Sequence, residues 1–191
     1  MNGGTHYLFF DTETGGLDFS HHSLLSMGLV VGQGPNVVDQ KEIFIHHEPY
    51  VVSAGGLKVN RIDLVSHDEK ALMPSLAWEA MLAFLEPHYP AGERIILAGH
   101  NIGFDRAFLD GFLKALGQNP EKHFNHRSVD THSIAAALQD AGKIPASVSL
   151  SSSGLFDHFQ IAIPSWKRHT ALGDALATFS LYWKLVELAG R

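Results

Sequence analysis

The stretch FFDTETGG, residues 9–16, places two carboxylates, Asp11 and Glu13, directly behind two phenylalanines. The apolar residues of 6–10 (HYLFF) predict a short buried strand. Because residues i and i+2 of a strand point to the same side, a strand that continues to residue 13 puts both carboxylates on one face. Two like charges held so close together repel each other strongly unless a cation lies between them. Taken alone, so short a motif is better explained as a polar strand end before a glycine turn.

The composition is that of an ordinary globular protein, with 191 residues, of which 45% are apolar and 18% charged. We expect a single domain over residues 1–191. The net charge of −6 argues against a protein that grips long duplex nucleic acid through many phosphates. It still allows a site that takes one strand end and supplies its positive charge as bound metal. The absence of cysteine excludes disulfides and thiolate metal sites.

The hydrophobic pattern predicts three antiparallel strands followed by alternating strands and helices. The predicted strands span 6–10, 24–32, 37–45, 94–99 and 127–130. The predicted helices span Pro74 to Glu86, 103–116, 131–140, 149–159 and 171–188. Residues 46–70 are predicted to form a loop. This order indicates an α/β fold with a mixed sheet and helices packed on its faces.

A second chemical site is predicted in LAGHNIGFDRAFLDGFL, residues 97–113, which runs from a buried strand into a helix. Asn101 is a plausible N-cap of that helix. Asp105 would then lie in the first helical turn, at the carboxyl end of the strand. Asp105 alone is well explained by capping, because acidic side chains stabilise helix N-termini.

A third site is predicted in WKRHTALGDALATFSLYW, residues 166–183, at the start of the last helix. Thr170 is a plausible N-cap, Asp174 falls in the first turn or just beyond it, and His169 lies immediately before the helix. Helix capping explains this arrangement about as well as chemistry does when the segment is taken alone.

Taken together, four carboxylates fall at the ends of two strands and the starts of two helices, which capping explains poorly. A parallel or mixed sheet brings such ends to one edge, where ligands usually bind. Hard divalent cations such as Mg²⁺ prefer carboxylate oxygens. Two of them, about 3.5–4 Å apart, suit in-line phosphoryl displacement. A nearby histidine can take the proton of the attacking water near neutral pH.

FDTETGGL, HNIGFDRAFL and HTALGDALAT resemble, in order, the three motifs of the DEDDh family of exonucleases. That family includes the proofreading epsilon subunit of bacterial DNA polymerase III and ribonuclease T. The resemblance implies a ribonuclease H-like fold and metal-dependent 3′-to-5′ hydrolysis of single-stranded nucleic acid. The products would be nucleoside 5′-monophosphates. DNA is favoured as the substrate, with RNA as the alternative, and Mn²⁺ is expected to substitute for Mg²⁺.

The same resemblance assigns roles to individual residues. Asp11, Glu13, Asp105 and Asp174 are expected to be the catalytic carboxylates that hold two divalent cations. His169, five residues before the last aspartate, is expected to be the general base. Asp11, Glu13 and Asp174 would hold one cation with its water. Asp11 and Asp105 would hold the other.

The resemblance also implies contacts with the 3′-terminal nucleotide. Thr14 and the backbone near Gly15 would meet its 3′ end. Leu17 would pack against its base, although ordinary loop packing explains this residue equally well. Asn101 is expected to contact substrate as well as to cap its helix.

Two departures from the family pattern stand out. Gly15 replaces a threonine, which removes a hydroxyl but tolerates close backbone approach. Arg61, in KVNRIDLVSH, takes the place of a glycine in a short turn that the family often has. Arg61 is explained either as a phosphate contact or, more simply, as a solvated loop residue. Lys167 and Arg168 carry the same two explanations.

The sequence also carries signals about location and partners. No apolar run reaches the roughly 18 residues of a membrane-spanning helix, and the N-terminus lacks a secretory layout. We therefore expect a cytoplasmic protein with no membrane contact. Association with a polymerase, or a homodimer, stays open. The alternative function is an inactive nucleic-acid-binding or polymerase-associated scaffold of the same fold, which the presence of all four carboxylates and the histidine argues against.

Overall fold

The computed structural model describes residues 6–163 and 169–190, and its centre is a five-stranded mixed sheet. The strands are β1 (Tyr7–Thr14), β2 (Leu24–Gln33), β3 (Asn36–Phe44), β4 (Ile95–Gly99) and β5 (Phe124–Asp130). They lie in the order β3-β2-β1-β4-β5. The first three form an antiparallel meander, and β4 and β5 continue the sheet parallel to β1. The predicted α/β fold is confirmed.

Seven α-helices accompany the sheet within the described part of the chain. They are α1 (Ala54–Asn60), α2 (Leu64–Asp68), α3 (Pro74–Leu85), α4 (Gly103–Ala115), α5 (Thr131–Asp140), α6 (Ser152–His158) and α7 (Ala171–Ala189). None of the helices within 6–163 and 169–190 combines the length and apolar character that crossing a lipid bilayer requires.

The alternation of side chains along β1 divides the core between the two faces of the sheet. Leu8 and Phe10 join the cluster that contains the buried faces of α3 and α4. Phe9 points the other way and packs its ring edge to face against Phe179 of α7, with centroids 5.0 Å apart. The sheet is therefore a central layer, and α4 and α7 approach it from opposite sides.

The prediction of a continuous loop over 46–70 is wrong, because this segment contains α1 and α2. Both helices are too short to show an apolar stripe, and α1 begins AGG, which is a poor helix-forming sequence. The available signals were their N-caps. The side chain of Ser53 accepts a hydrogen bond from Gly56 N–H, and Asp63 accepts from the first turn of α2.

Candidate active site

The end of β1 projects beyond its parallel neighbour. Pairing with β4 ends at Phe9, whereas pairing with β2 continues to Thr14. Strand β1 is thus longer than the predicted 6–10 and carries both Asp11 and Glu13, as the shared-face hypothesis required. Thr12 lies on the edge of β1 that is no longer paired with β4. Its N–H and its hydroxyl both donate to Oδ1 of Asp105, at 2.9 and 2.7 Å. Asp105 is buried in the first turn of α4.

A row of residues across the meander sets the other side of the site. Asp11 lies opposite Gly28, and Gly28 lies opposite Glu42. Directly opposite residues share a face of the sheet, so both carboxylates point to the α7 side. Gly28 leaves the space between them for the helix, since a Cβ there would lie 2.1 Å from the carbonyl oxygen of Ala171.

The close approach of α7 to β2 places Asp174, the last carboxylate, in the site. Thr170 caps α7, as predicted, with Oγ1 accepting from Gly173 N–H at 3.0 Å. Asp174 lies in the first turn that follows. Carboxylate oxygens of Asp11, Glu13 and Asp174 consequently lie within 4.8 Å of one another. The structure therefore brings together three of the four carboxylates expected to bind metal, with Asp105 held beside them through Thr12.

The electrostatics of this cluster are unfavourable without a cation. Burial, followed by repulsion from Asp105, Asp174, Glu13 and Glu42, raises the pKa of Asp11 well above its ordinary value. Burial and neighbouring carboxylates raise the pKa of Glu13 to about 8. Burial raises the pKa of Asp105 to about 7, against the opposing effect of its hydrogen bonds from Thr12.

The residues present fit a hard divalent cation. The donors are all carboxylate oxygens, which Mg²⁺ and Mn²⁺ prefer. Asp11, Glu13 and Asp174 each offer an oxygen at mutually close range. Burial and, after it, repulsion between carboxylates raise the pKa values of Asp11 and Glu13, and a bound cation would offset that repulsion.

His169 directly precedes the N-cap of α7. It adopts a left-handed backbone conformation, with φ of 61°. Its half-buried side chain lines a cavity of about 440 Å³ together with Glu42 and Thr170. The general-base role of His169 stays a prediction, and this placement next to the carboxylate row is what supports it.

The loop after β1 has an internally bonded base and an exposed apolar tip. The hydroxyl of Thr14 donates to Gly16 O at 2.7 Å. Gly15 donates its N–H to Ser23 O at 2.8 Å and accepts from Ser53 N–H at 2.6 Å. A Cβ on Gly15 would lie 2.3 Å from Val51 O, so the chain's own backbone explains this glycine. The substrate contacts expected of Thr14 and Gly15 stay predictions.

Leu17 is 86% exposed, so ordinary loop packing does not explain it. Phe19, two residues further on, is 55% exposed and was not singled out from the sequence. The turn between them is fixed by Asp18, whose carboxylate accepts from both the N–H and the hydroxyl of Ser20. The loop therefore presents two large apolar side chains to solvent.

The prediction that Asn101 caps α4 is wrong. The cap residue is Ile102, which makes no side-chain hydrogen bond, and Asn101 lies in the left-handed region with φ of 57°. Asn101 donates its N–H to Asp130 Oδ1 at 2.7 Å and accepts from Phe104 N–H at 3.0 Å. Its proposed substrate contact stays a prediction.

Sequence reasoning missed two other residues near the carboxylates. Glu42 lies in a polar stretch of β3, where its sequence does not distinguish it from a solvent-facing charge. Only its pairing with Gly28 of β2 shows that it lies in the row of Asp11. Asn60 is buried and donates its amide to Thr14 O at 3.0 Å, which ties α1 to the end of β1. Lys167 and Arg168 lie outside the described residues.

No protein-family model matches the chain. It is 25% identical over 188 residues to ribonuclease T of Haemophilus ducreyi, an alignment that covers 94% of this chain and 84% of that protein. It is also 30% identical over 184 residues to a PolC-type DNA polymerase III of Oceanobacillus iheyensis, covering 95% of this chain. These similarities, together with the three sequence motifs, support the DEDD family of 3′-to-5′ exonucleases for this chain. It spans 11% of the length of the PolC-type relative.

A solved structure shares the fold of this chain. The zinc-bound form of Escherichia coli exonuclease I in complex with single-stranded DNA matches with a TM-score of 0.79 at 16% sequence identity. The match covers 96% of this chain and 41% of exonuclease I. The ribonuclease H-like architecture expected from the three motifs is thereby confirmed.

Proposed function

We propose that this DEDD-family exonuclease hydrolyses the last phosphodiester at the 3′ end of single-stranded nucleic acid and releases a nucleoside 5′-monophosphate. The observation that carries the proposal is the convergence of Asp11, Glu13 and Asp174 within 4.8 Å. The similarity to ribonuclease T and to the exonuclease I complex with single-stranded DNA supports the substrate class. We treat residues 1–191 as one exonuclease domain.

The carboxylates would hold two divalent cations, with Mg²⁺ expected and Mn²⁺ as a substitute. Asp11, Glu13 and Asp174 would hold one, and Asp11 and Asp105 the other. Bound cations supply positive charge for the scissile phosphate and for the departing oxygen. Asp105 is suited to its place because the two hydrogen bonds from Thr12 hold its carboxylate beside the end of β1.

His169 would accept, on an imidazole nitrogen, the proton of the water that attacks phosphorus. The new P–O bond forms as the bond from phosphorus to the 3′ oxygen of the preceding nucleotide breaks. The shortened strand keeps a 3′ hydroxyl, and the released nucleotide keeps the phosphate. Proton removal by a positioned histidine is effective near neutral pH because the ordinary pKa of imidazole lies there.

Leu17 and Phe19 would contact the bases at the 3′ end. Apolar and aromatic side chains bind bases with little dependence on sequence, because every base offers an apolar face. An exonuclease that trims one nucleotide after another needs such tolerance. The exposure of both side chains, at 86% and 55%, supports this assignment.

A paired digestion tests the proposal. Metal-stripped protein, with Mg²⁺ or Mn²⁺ restored, is incubated with 5′-labelled single-stranded DNA and RNA of one sequence. We expect a ladder that shortens from the 3′ end, and the faster polymer identifies the preferred substrate. Asp11→Asn is the inactive control, and Asp157→Asn, an exposed carboxylate on α6, is the matched active control.

The same experiment separates the enzyme from the alternative scaffold. A scaffold would bind both strands and shorten neither at any metal concentration. The PolC-type relative supports a polymerase-associated setting for the domain. Size-exclusion chromatography of the isolated chain tests the homodimer.

A further inference from the structure

Arg61 occupies a backbone position that favours glycine. Its φ and ψ are 57° and 26°, in the left-handed region, where it closes α1 by donating its N–H to Leu57 O at 2.9 Å. A residue with a Cβ is disfavoured in this conformation. Arginine therefore weakens the turn that it completes, and its side chain is the feature that distinguishes it from glycine.

The turn is anchored to the strand that carries the catalytic carboxylates. Asn60 donates its side-chain amide to Thr14 O and accepts from Ile62 N–H at 3.1 Å. Its two bonds hold the backbone on both sides of Arg61 against the end of β1. The side chain of Arg61 is exposed, and it extends from a backbone that these bonds hold beside the site.

Arg61 and Lys70 line the same cavity of about 440 Å³ as His169 and Glu42. The ammonium group of Lys70 lies 5.2 Å from the centre of the Phe44 ring, which holds it on this side of β3. Asp63 also lines the cavity, but its Oδ1 accepts from two N–H groups at the start of α2. The cavity is thus lined both by cationic side chains and by Glu42, which lies in the same row across the sheet as Asp11.

We propose that Arg61, supported by Lys70, binds a backbone phosphate of the substrate strand. The inference rests on the proposed function. In a strand cut at its last phosphodiester, every other internucleotide phosphate lies on the 5′ side of the scissile one. The phosphate bound by Arg61 would therefore belong to the part of the strand that has not yet been cut. The chain has a net charge of −6, and a guanidinium in the cavity that Glu42 also lines would attract a polyanion that this charge repels.

Glycine at position 61 provides the decisive variant. Arg61→Gly removes the guanidinium and relieves the left-handed conformation, so binding and stability should change in opposite directions. We expect KM for a single-stranded oligonucleotide to rise about 10-fold, kcat to stay within about 2-fold, and the midpoint of thermal unfolding to rise by about 2 °C. Arg61→Lys should keep most of the affinity, because it keeps the charge.

The matched control is Gln160→Gly, because Gln160 has φ of 53° at the end of α6 and does not line this cavity. It should gain stability with an unchanged KM. The plot of log affinity against log salt should lose about 0.7 of slope in Arg61→Gly, as expected for one phosphate contact on a single strand. Affinity is measured on an Asp11→Asn background, so that the strand stays intact.

Two failures are distinguishable in this design. If wild-type protein does not shorten the oligonucleotide, the proposed function is wrong. If wild-type protein does shorten it, while KM and the salt slope of Arg61→Gly equal those of wild type, the phosphate contact alone is wrong. An equal loss of affinity in Gln160→Gly would also overturn the contact.

Discussion

Replacing Asp11 with asparagine should stabilise the metal-free protein while abolishing its activity. Oxygens of Asp11, Glu13 and Asp174 lie within 4.8 Å of one another. Two unit charges at that distance repel by about 3.5 kcal/mol at an effective dielectric constant of about 20. Burial and this repulsion raise the pKa of Asp11, and uptake of a proton would relieve part of the repulsion.

Removing the charge of Asp11 therefore raises the free energy of unfolding by less than the summed repulsion between Asp11 and its neighbouring carboxylates. We expect the free energy of unfolding of Asp11→Asn without metal to exceed that of wild type by about 2 kcal/mol at pH 7.5. For a chain of this length, that corresponds to a rise of about 4–8 °C in the unfolding midpoint. Asn is nearly isosteric with Asp, so the packing of the site is kept.

Thermal unfolding followed by circular dichroism, in EDTA and in Mg²⁺, measures the effect. Saturating Mg²⁺ should stabilise wild type by about 2.7 kcal/mol when its concentration is 100 times the dissociation constant. Asp11→Asn should gain much less stability from Mg²⁺. The variant's advantage over wild type in EDTA should therefore vanish or reverse in Mg²⁺. The control Asp157→Asn should follow wild type in both buffers. A less stable Asp11→Asn in EDTA, or an equal gain in Mg²⁺, would refute the electrostatic account.

Three further predictions follow from the site. His169→Ala should lower kcat by about 10²–10⁴-fold with unfolding unchanged, and near-normal turnover would remove this histidine from the mechanism. Gly28→Ala should lower the free energy of unfolding by about 1–3 kcal/mol and impair activity, because its Cβ would displace the start of α7 from the sheet; an unaffected variant would contradict that packing. Stability without metal should fall as pH rises from about 5 to 8 in urea titrations, since the raised pKa values of Glu13, about 8, and Asp105, about 7, favour the folded state only while these groups are protonated. Stability that rises over this range would contradict the raised values.

The sequence predicted the sheet and the carboxylates because each signal is local. The alternation along FFDTET places Asp11 and Glu13 on one face. Thr170 caps its helix by a hydrogen bond that spans three residues. These features depend on residues close together in the chain, and a family resemblance added the order in which they occur.

The features that were missed depend on contacts between distant segments. Glu42 joins the row of Asp11 only through the pairing of three strands. Thr12 meets Asp105 across 93 residues, at an edge that exists because β4 ends early. Asn101 is a common N-cap residue, but its N–H is taken by Asp130 in a left-handed turn. Local propensity does not report these tertiary constraints.

The most direct test of the central claim compares a linear and a circular single strand of the same sequence. The linear strand carries an internal label near its 5′ end, and both are incubated with the protein and Mg²⁺. The account predicts that the linear strand shortens stepwise from its 3′ hydroxyl, that the circle stays intact, and that Asp174→Asn loses the reaction. Cleavage of the circle, or a linear strand that is bound and never shortened, would contradict the account.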